Sequence, residues 1–506
     1  MNKLIIIFSI LSIFSVKSFA DVTPNTLFSN NMVLQQGVNV PIWGKADNNE
    51  TVTVEFCGQK VSTVAKDGKW FVTLKSLRAG GPFEMKIKGN NLLTIINILV
   101  GEVWVCGGQS NMARRIGVQA GQPDIWERQK TVDEANNFSQ IRQYFVPLQS
   151  SDIKYEDANS IWVVCDSNSV KEFTAVGYFF ANALTRKLKN VPIGIIHSSW
   201  GGTEAQKWTS RAALEENAEL KEIVEYYDKA VFTYPQDLEK YNLTKDSILN
   251  KWKVDAAKAR LEGNTIPQKP KELLHPSLRG ICGGLYNAMI APFIPYSIKG
   301  VIWYQGESNQ FKAKQYQTLF PVLIADWRKQ WNVGDFPFLY VQVAPYNGMK
   351  PEIREAQLLC LKKTTNTAMA VTVDCGDAAK IHPGNKKPVG DRLALAAEAL
   401  AYKINVAYSG PLYASMVVKG NAIELSFDHV NSGLMAKGNA LTDFVIAGAD
   451  KKFVPAKAII SGNKVIVTAE GIDNPVAVRM GWANVPNINL FNKDGLPASP
   501  FRTDVE

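Results

Sequence analysis

Apolar and polar residues alternate in short runs from residue 21 to about 98, and this period of two predicts strands. "MVLQQGVNVPIWGKA", "TVTVEFCGQKVSTVAKDGKWFVTL" and "FEMKIKG" carry the alternation and are broken by Gly, Asn and Asp-Gly. The pair Asp67-Gly68, set between two alternating runs, predicts a hairpin. Residues 21–98 therefore read as a small β-sandwich-like domain.

At about residue 99 the pattern changes. Short continuous apolar runs now alternate with segments of helical period. "VWVC" (103–106), "IGIIH" (193–197), "GVIWY" (300–304), "FLYVQV" (338–343) and "AMAVTVD" (368–374) predict buried strands. Between them, "AVGYFFANALTRKL" repeats apolar residues at Val176, Phe179, Phe180, Ala183, Leu184 and Leu188, the spacing of one helix face. "YQTLFPVLIADWRKQW" predicts a helix that runs through Pro321, and "KPVGDRLALAAEALAYKI" predicts another. Alternating strands and helices predict an α/β fold with a doubly wound parallel sheet over residues 99–404. Residues from about 212 to 275 break this rhythm. They are rich in Lys, Glu and Ala and predict a helical insertion. From 405 to 506 the alternation returns, with hairpins predicted in "SMVVKGNAIELSFD" and "KAIISGNKVIVTAEG".

Composition changes this picture at the N-terminus. In "MNKLIIIFSILSIFSVKSFA", Lys3 precedes an apolar run from Leu4 to Val16 and Ser-Phe-Ala precedes Asp21. Residues 1–20 thus predict a secretory signal peptide, too short in its apolar run for a membrane span, and an exported protein. With 46% hydrophobic and 20% charged residues the rest reads as an ordinary globular chain. The formal charge is +9, and without Lys3 and Lys17 of the signal it is about +7. The excess is dispersed, which argues against nucleic-acid binding. Six cysteines are widely spaced with no CxxC, which argues against a zinc cluster. Cys106 and Cys375 read as buried apolar residues.

Ligands of open parallel sheets bind beyond the carboxyl ends of the strands. The strand at 103–106 is followed by Gly107-Gly108-Gln109-Ser110-Asn111. The strand at 193–197 leads to Ser199-Trp200-Gly201-Gly202-Thr203. The strand at 300–304 leads to Gln305-Gly306-Glu307-Ser308-Asn309, and the last to Cys375-Gly376-Asp377 and Ile381-His382-Pro383. Turns are rich in such residues anyway, so Ser110 alone reads either as a turn or as a nucleophile. A serine nucleophile needs a base. Only His197, His275, His382 and His429 are available. His197 ends a strand and reads as packed, His275 precedes Pro276, and His429 lies in the C-terminal β region. His382, in a loop at the expected rim, is the base that elimination leaves.

"GEVWVCGGQSNM", "HSSWGGTEAQKW", "GVIWYQGESN" and "IHPGNKKPVGDRLA", in that order, resemble the sialate O-acetylesterase family of SGNH-type hydrolases. "LFSNNMVLQQGVNVPIWG" and "VRMGWANVPNINLFNKDGLPASPFRTD" resemble its flanking β regions, so the resemblance spans nearly all of residues 21–506. It implies that Ser110 is the nucleophile and His382 the base. The backbone N–H groups of Ser110 and Gly201 (or Gly202) and the side chain of Gln305 would form the oxyanion hole. It implies no metal and no organic cofactor. Many SGNH enzymes place an Asp two or three residues before the histidine, where this chain has Lys380 and Ala379. Glu307 is the favoured acid behind His382, Asp377 the second choice, and a dyad without an acid the third. Trp200, Trp208, Trp303 and Tyr304 flank these motifs; core packing is the expected role for most of them, and Trp200 and Tyr304 are the candidate sugar contacts. Arg114 or Arg115, just past the nucleophile, could clamp a sugar carboxylate. The expected substrate is an O-acetylated sugar, sialic acid first and acetylated xylan or other hemicellulose as the alternative. The rival from another class is a non-catalytic carbohydrate-binding protein, against which the intact Ser, His, Gly and Gln set argues.

Overall fold

The computed structural model describes residues 21–504 apart from Arg279. The predicted signal peptide lies outside the described residues. The spine of the molecule is a long strand, β1 (Leu92–Gly108). It passes through the expected division at residues 98/99. Its first half pairs with N-terminal strands and its second half lies at the middle of the central sheet. In the N-terminal region Asp67 and Gly68 both take positive φ (53° and 74°), the turn that the hairpin reading requires.

The other central strands are β2 (Ile141–Phe145), β3 (Trp162–Val164), β4 (Ile193–Ser199), β5 (Gly300–Tyr304), β6 (Phe338–Val341) and β7 (Thr367–Ala370). They lie in the order β3-β2-β4-β1-β5-β6-β7, with only edge strand β3 antiparallel. All of β4 and β5 is buried, as parallel strands covered on both faces must be. Alternate side chains face opposite layers. Trp104, Ile302 and Leu339 pack beneath helices α2 (Ala175–Lys187) and α6 (Lys387–Leu400). Val105, Trp303 and Tyr340 pack beneath α4 (Ala313–Trp331) and α5 (Pro351–Lys363). The apolar period of α4 prevails over Pro321, and the helix runs through it.

Two boundaries differ from the sequence reading. Strand β7 ends at Ala370 rather than 374, and "VTVD" lies outside the strand. The insertion is one long helix, α3 (Lys221–Leu261), after a short helix at Arg211–Glu216, and residues 264–275 are not helical. Both predicted C-terminal hairpins form, one at Leu412–Asp428 and one at Lys457–Thr468.

Register positions the site. Gly108 at the end of β1 lies opposite Ser199 on one side and Tyr304 on the other. The three following loops therefore leave the sheet at one level. A β-carbon on Gly108 would lie 2.2 Å from the Tyr304 carbonyl oxygen, so only glycine lets the strands close there.

Candidate active site

Beyond Gly108 the chain turns through Gln109 into a single helical turn, α1 (Ser110–Ala113). The turn is pinned on three sides. The Gln109 N–H donates to the Tyr304 carbonyl (2.9 Å). The Gln109 side-chain oxygen accepts from the Ser308 N–H (3.2 Å). The Thr174 hydroxyl donates to the Met112 carbonyl (2.6 Å). Ser110 is thereby held half-exposed at the start of the turn, where backbone N–H groups have no helical acceptor.

The structure brings Ser110 and His382 together across 272 residues, with Oγ 2.7 Å from Nε2. Gly201 also reaches this point. A β-carbon on it would lie 3.2 Å from the Ser110 β-carbon, so the bare backbone approaches the serine as closely as it can. Gly202 takes the positive φ (73°) of the turn behind it.

The group behind His382 is not the one that the sequence pointed to. Nδ1 is 2.8 Å from the side-chain oxygen of Gln122. For Nε2 to accept the serine proton, Nδ1 must carry the ring hydrogen and donate it to Gln122. Neither candidate acid makes this bond. Asp377 is spent on its own turn, accepting from the N–H groups of Ala379 (2.8 Å) and Lys380 (3.1 Å). Glu307 is buried and accepts from Asn111 Nδ2 at 2.5 Å. Asn111 is the hub of a buried brace. Its Nδ2 also donates to the Ile381 carbonyl (3.1 Å), just before His382, and its Oδ1 accepts from Lys386 Nζ (2.5 Å). The fully buried Lys386 ammonium also lies 5.2 Å from the centre of the Tyr304 ring.

Burial governs the charges here. It lowers the His382 imidazole to about 4, helped by the neighbouring cations Lys386 and Arg114. It lowers Lys386 to about 7, with Glu307 pulling the other way. It raises the Glu307 carboxyl, against the Asn111 bond and Lys386. His382 is thus neutral, and able to accept a proton, well below neutral pH.

Other expectations are redirected. Gln305 is fully buried, and its amide N–H groups are taken by the Thr203 carbonyl (3.2 Å) and Asn309 Oδ1 (2.7 Å). It braces the loops and has no hydrogen left for an oxyanion. Tyr304 is buried under Lys386 and cannot touch a sugar from the rim. Arg114 is buried and donates to Gln119 and to the Pro123 carbonyl (2.5 Å). Arg115 remains half-exposed but is ion-paired with Glu172. Trp200 is partly open beside Gly201, whereas Trp208 and Trp303 are core residues. His197 is buried, with Nε2 on Ser199 Oγ (2.7 Å). Sequence reasoning missed Gln122 and Lys386. Lys386 stands in the same motif as His382. Gln122 lies in no motif, 260 residues away from its partner. Among the described residues, no group of three or more His, Cys, Asp or Glu side chains is disposed to hold a metal ion. No described helix is long and apolar enough to cross a membrane.

Because Gln122 is neutral, Gln122→Glu is expected to raise the His382 pKa. The acidic limb of the pH profile of kcat/KM would then move to higher pH. A limb that stays where it is in the wild-type protein would count against the Nδ1 contact.

A hydrolase constellation of this kind, on an α/β sheet with added β regions, places the protein among the esterases, and the comparisons agree. A family model described as carbohydrate esterase, sialic acid-specific acetylesterase, matches residues 100–241 and 278–398. The chain belongs to this family. It is 29% identical to mouse sialate O-acetylesterase and 30% identical to the rat protein, in each case over 93% of this chain and 92% of the relative. A solved carbohydrate acetylesterase from Xanthomonas citri superposes with a TM-score of 0.80 at 34% identity, covering 96% of this chain and all of that one. These relatives support carbohydrate deacetylation.

Proposed function

We propose that the protein is an SGNH-type serine esterase that removes O-acetyl groups from carbohydrates through an acetyl-enzyme on Ser110. The observation that carries this reading is the 2.7 Å contact of Ser110 Oγ with His382 Nε2, with the Gly201 backbone against the serine. Ser110 Oγ attacks the acetyl carbonyl as its proton passes to His382 Nε2. The N–H groups of Ser110 and Gly201 face the developing oxyanion, where each preorganised donor contributes about 10²–10³ in rate. His382 then returns the proton to the leaving sugar oxygen. Water, deprotonated by the same imidazole, releases acetate and restores the serine. Gln122 holds the ring in the tautomer that this cycle needs. Glu307, placed in the Asn111 brace, acts as a positioning residue and not as the acid of a triad.

The names of the mammalian relatives make O-acetylated sialic acid the first substrate to test, with acetylated hemicellulose beside it. The pattern of residues 1–20 supports export. The catalytic unit is placed in residues 99–404, between β regions. The test is to react the protein with an acetylated sugar, quench it with acid and map the modified peptide by mass spectrometry. One acetyl group is expected on Ser110. Acetate release with the acetyl group found elsewhere, or with no covalent intermediate at any quench time, would remove the mechanism.

A further inference from the structure

A cleft of about 540 Å³ opens beside the nucleophile and is lined by Gly201 at one end. It is far larger than an acetyl group needs and lies within the range of small-molecule sites. One wall is apolar. Phe145 is 41% exposed and Leu148 is 47% exposed, and Val163 and Trp200 continue this surface along the cleft. The opposite character comes from a buried pair. His197 bonds Ser199 Oγ and meets the Phe145 ring edge-on with 5.4 Å between ring centres, so it sets both the hydroxyl and the aromatic plate. The His197 Nδ1 atom has no hydrogen-bond partner among the described residues. Apolar faces beside a few oriented polar groups match a pyranose ring, which has C–H faces and a hydroxyl edge.

Charge decides which sugar. Arg115 and Glu172 are the only charged residues that line the cleft among the described residues, and each is the other's partner. A sugar carboxylate would have to take Arg115 from Glu172 and leave two carboxylates side by side. Building on the Ser110 reading above, we infer that this cleft is the subsite for the leaving sugar, shaped for an uncharged acetylated pyranose, with Glu172 the residue that turns acidic sugars away.

The experiment compares kcat/KM on an O-acetylated neutral methyl pyranoside, on O-acetyl sialic acid and on methyl acetate, for the wild-type protein and the variants Glu172→Gln, Phe145→Ala, Arg115→Gln and Ser110→Ala. The wild-type protein is expected to prefer the neutral sugar. Glu172→Gln frees Arg115 and is expected to raise the acidic-to-neutral ratio about tenfold. Phe145→Ala is expected to lower the rate on the neutral sugar about tenfold relative to that on methyl acetate. A wild-type preference for sialic acid, lost in Arg115→Gln, overturns the uncharged assignment. Ratios unmoved in both Glu172→Gln and Phe145→Ala overturn the subsite. A Ser110→Ala protein as fast as wild type instead overturns the serine reading on which the subsite rests.

Discussion

Replacing Ser110 by alanine is expected to lower kcat/KM for acetate release by about 10³–10⁵-fold. Replacing His382 by alanine should cost nearly as much. The reason is the geometry of the pair. The serine proton has one acceptor at 2.7 Å, and among the described residues that nitrogen has no other hydrogen-bond partner. A serine without its base, or a base without its serine, does no chemistry, so the two losses cannot multiply. The double variant should therefore be no slower than the worse single variant by more than a few-fold. Acetate release measured on all four proteins settles the matter. If the two effects multiply, the residues act independently and the dyad is the wrong description. The absolute cost is expected below that of a full triad, since His382 leans on the neutral amide of Gln122 and gains no charge stabilisation as it is protonated.

The second large effect should come from a residue that never touches substrate. Asn111 joins Glu307, Lys386 and the Ile381 carbonyl through one buried amide. Asn111→Ala leaves a buried carboxyl and a buried ammonium without their bridge and frees the loop that carries His382. Unmet groups of this kind typically cost about 1–3 kcal/mol each, so a stability loss of about 2–4 kcal/mol is expected in denaturant unfolding. A shift of the base by an ångström typically costs about 10² in rate, and kcat should fall by that order. Glu307→Gln is the companion measurement. It keeps an oxygen for Asn111 and should cost less than about tenfold. If Glu307 instead oriented His382 as a triad acid, the loss would be about 10⁴. That outcome would restore the carboxylate to the triad and dismiss the brace.

Much of the scaffold was legible in local pattern. The continuous apolar runs of β4 and β5, and the helical period of α2, depend on short-range spacing and were read within a residue or two. Strand β7 was read too long because "VTVD" is as apolar as a strand. Val371, Thr372 and Val373 are buried although they stand outside the strand, and Asp374 is exposed. The pairing of Ser110 with His382 was legible only because each stood in a motif at a strand end and few histidines competed. The partner of His382 was not legible, because a glutamine in a loop has no pattern that marks it.

The sequence by itself determined the strand and helix alternation, the hairpin turns and the identity of the residues at the sheet's rim. Each of these follows from spacing and residue type over a few positions. Only the tertiary structure decided which carboxylate faces what. Asp377 is closed into its own turn, Glu307 is sealed under Asn111, Gln305 is spent on loop contacts, and Arg115 is held by Glu172. Hydrogen bonds and buried charges act over a few ångströms in space, and the groups that share them lie from 2 to 275 residues apart in the chain.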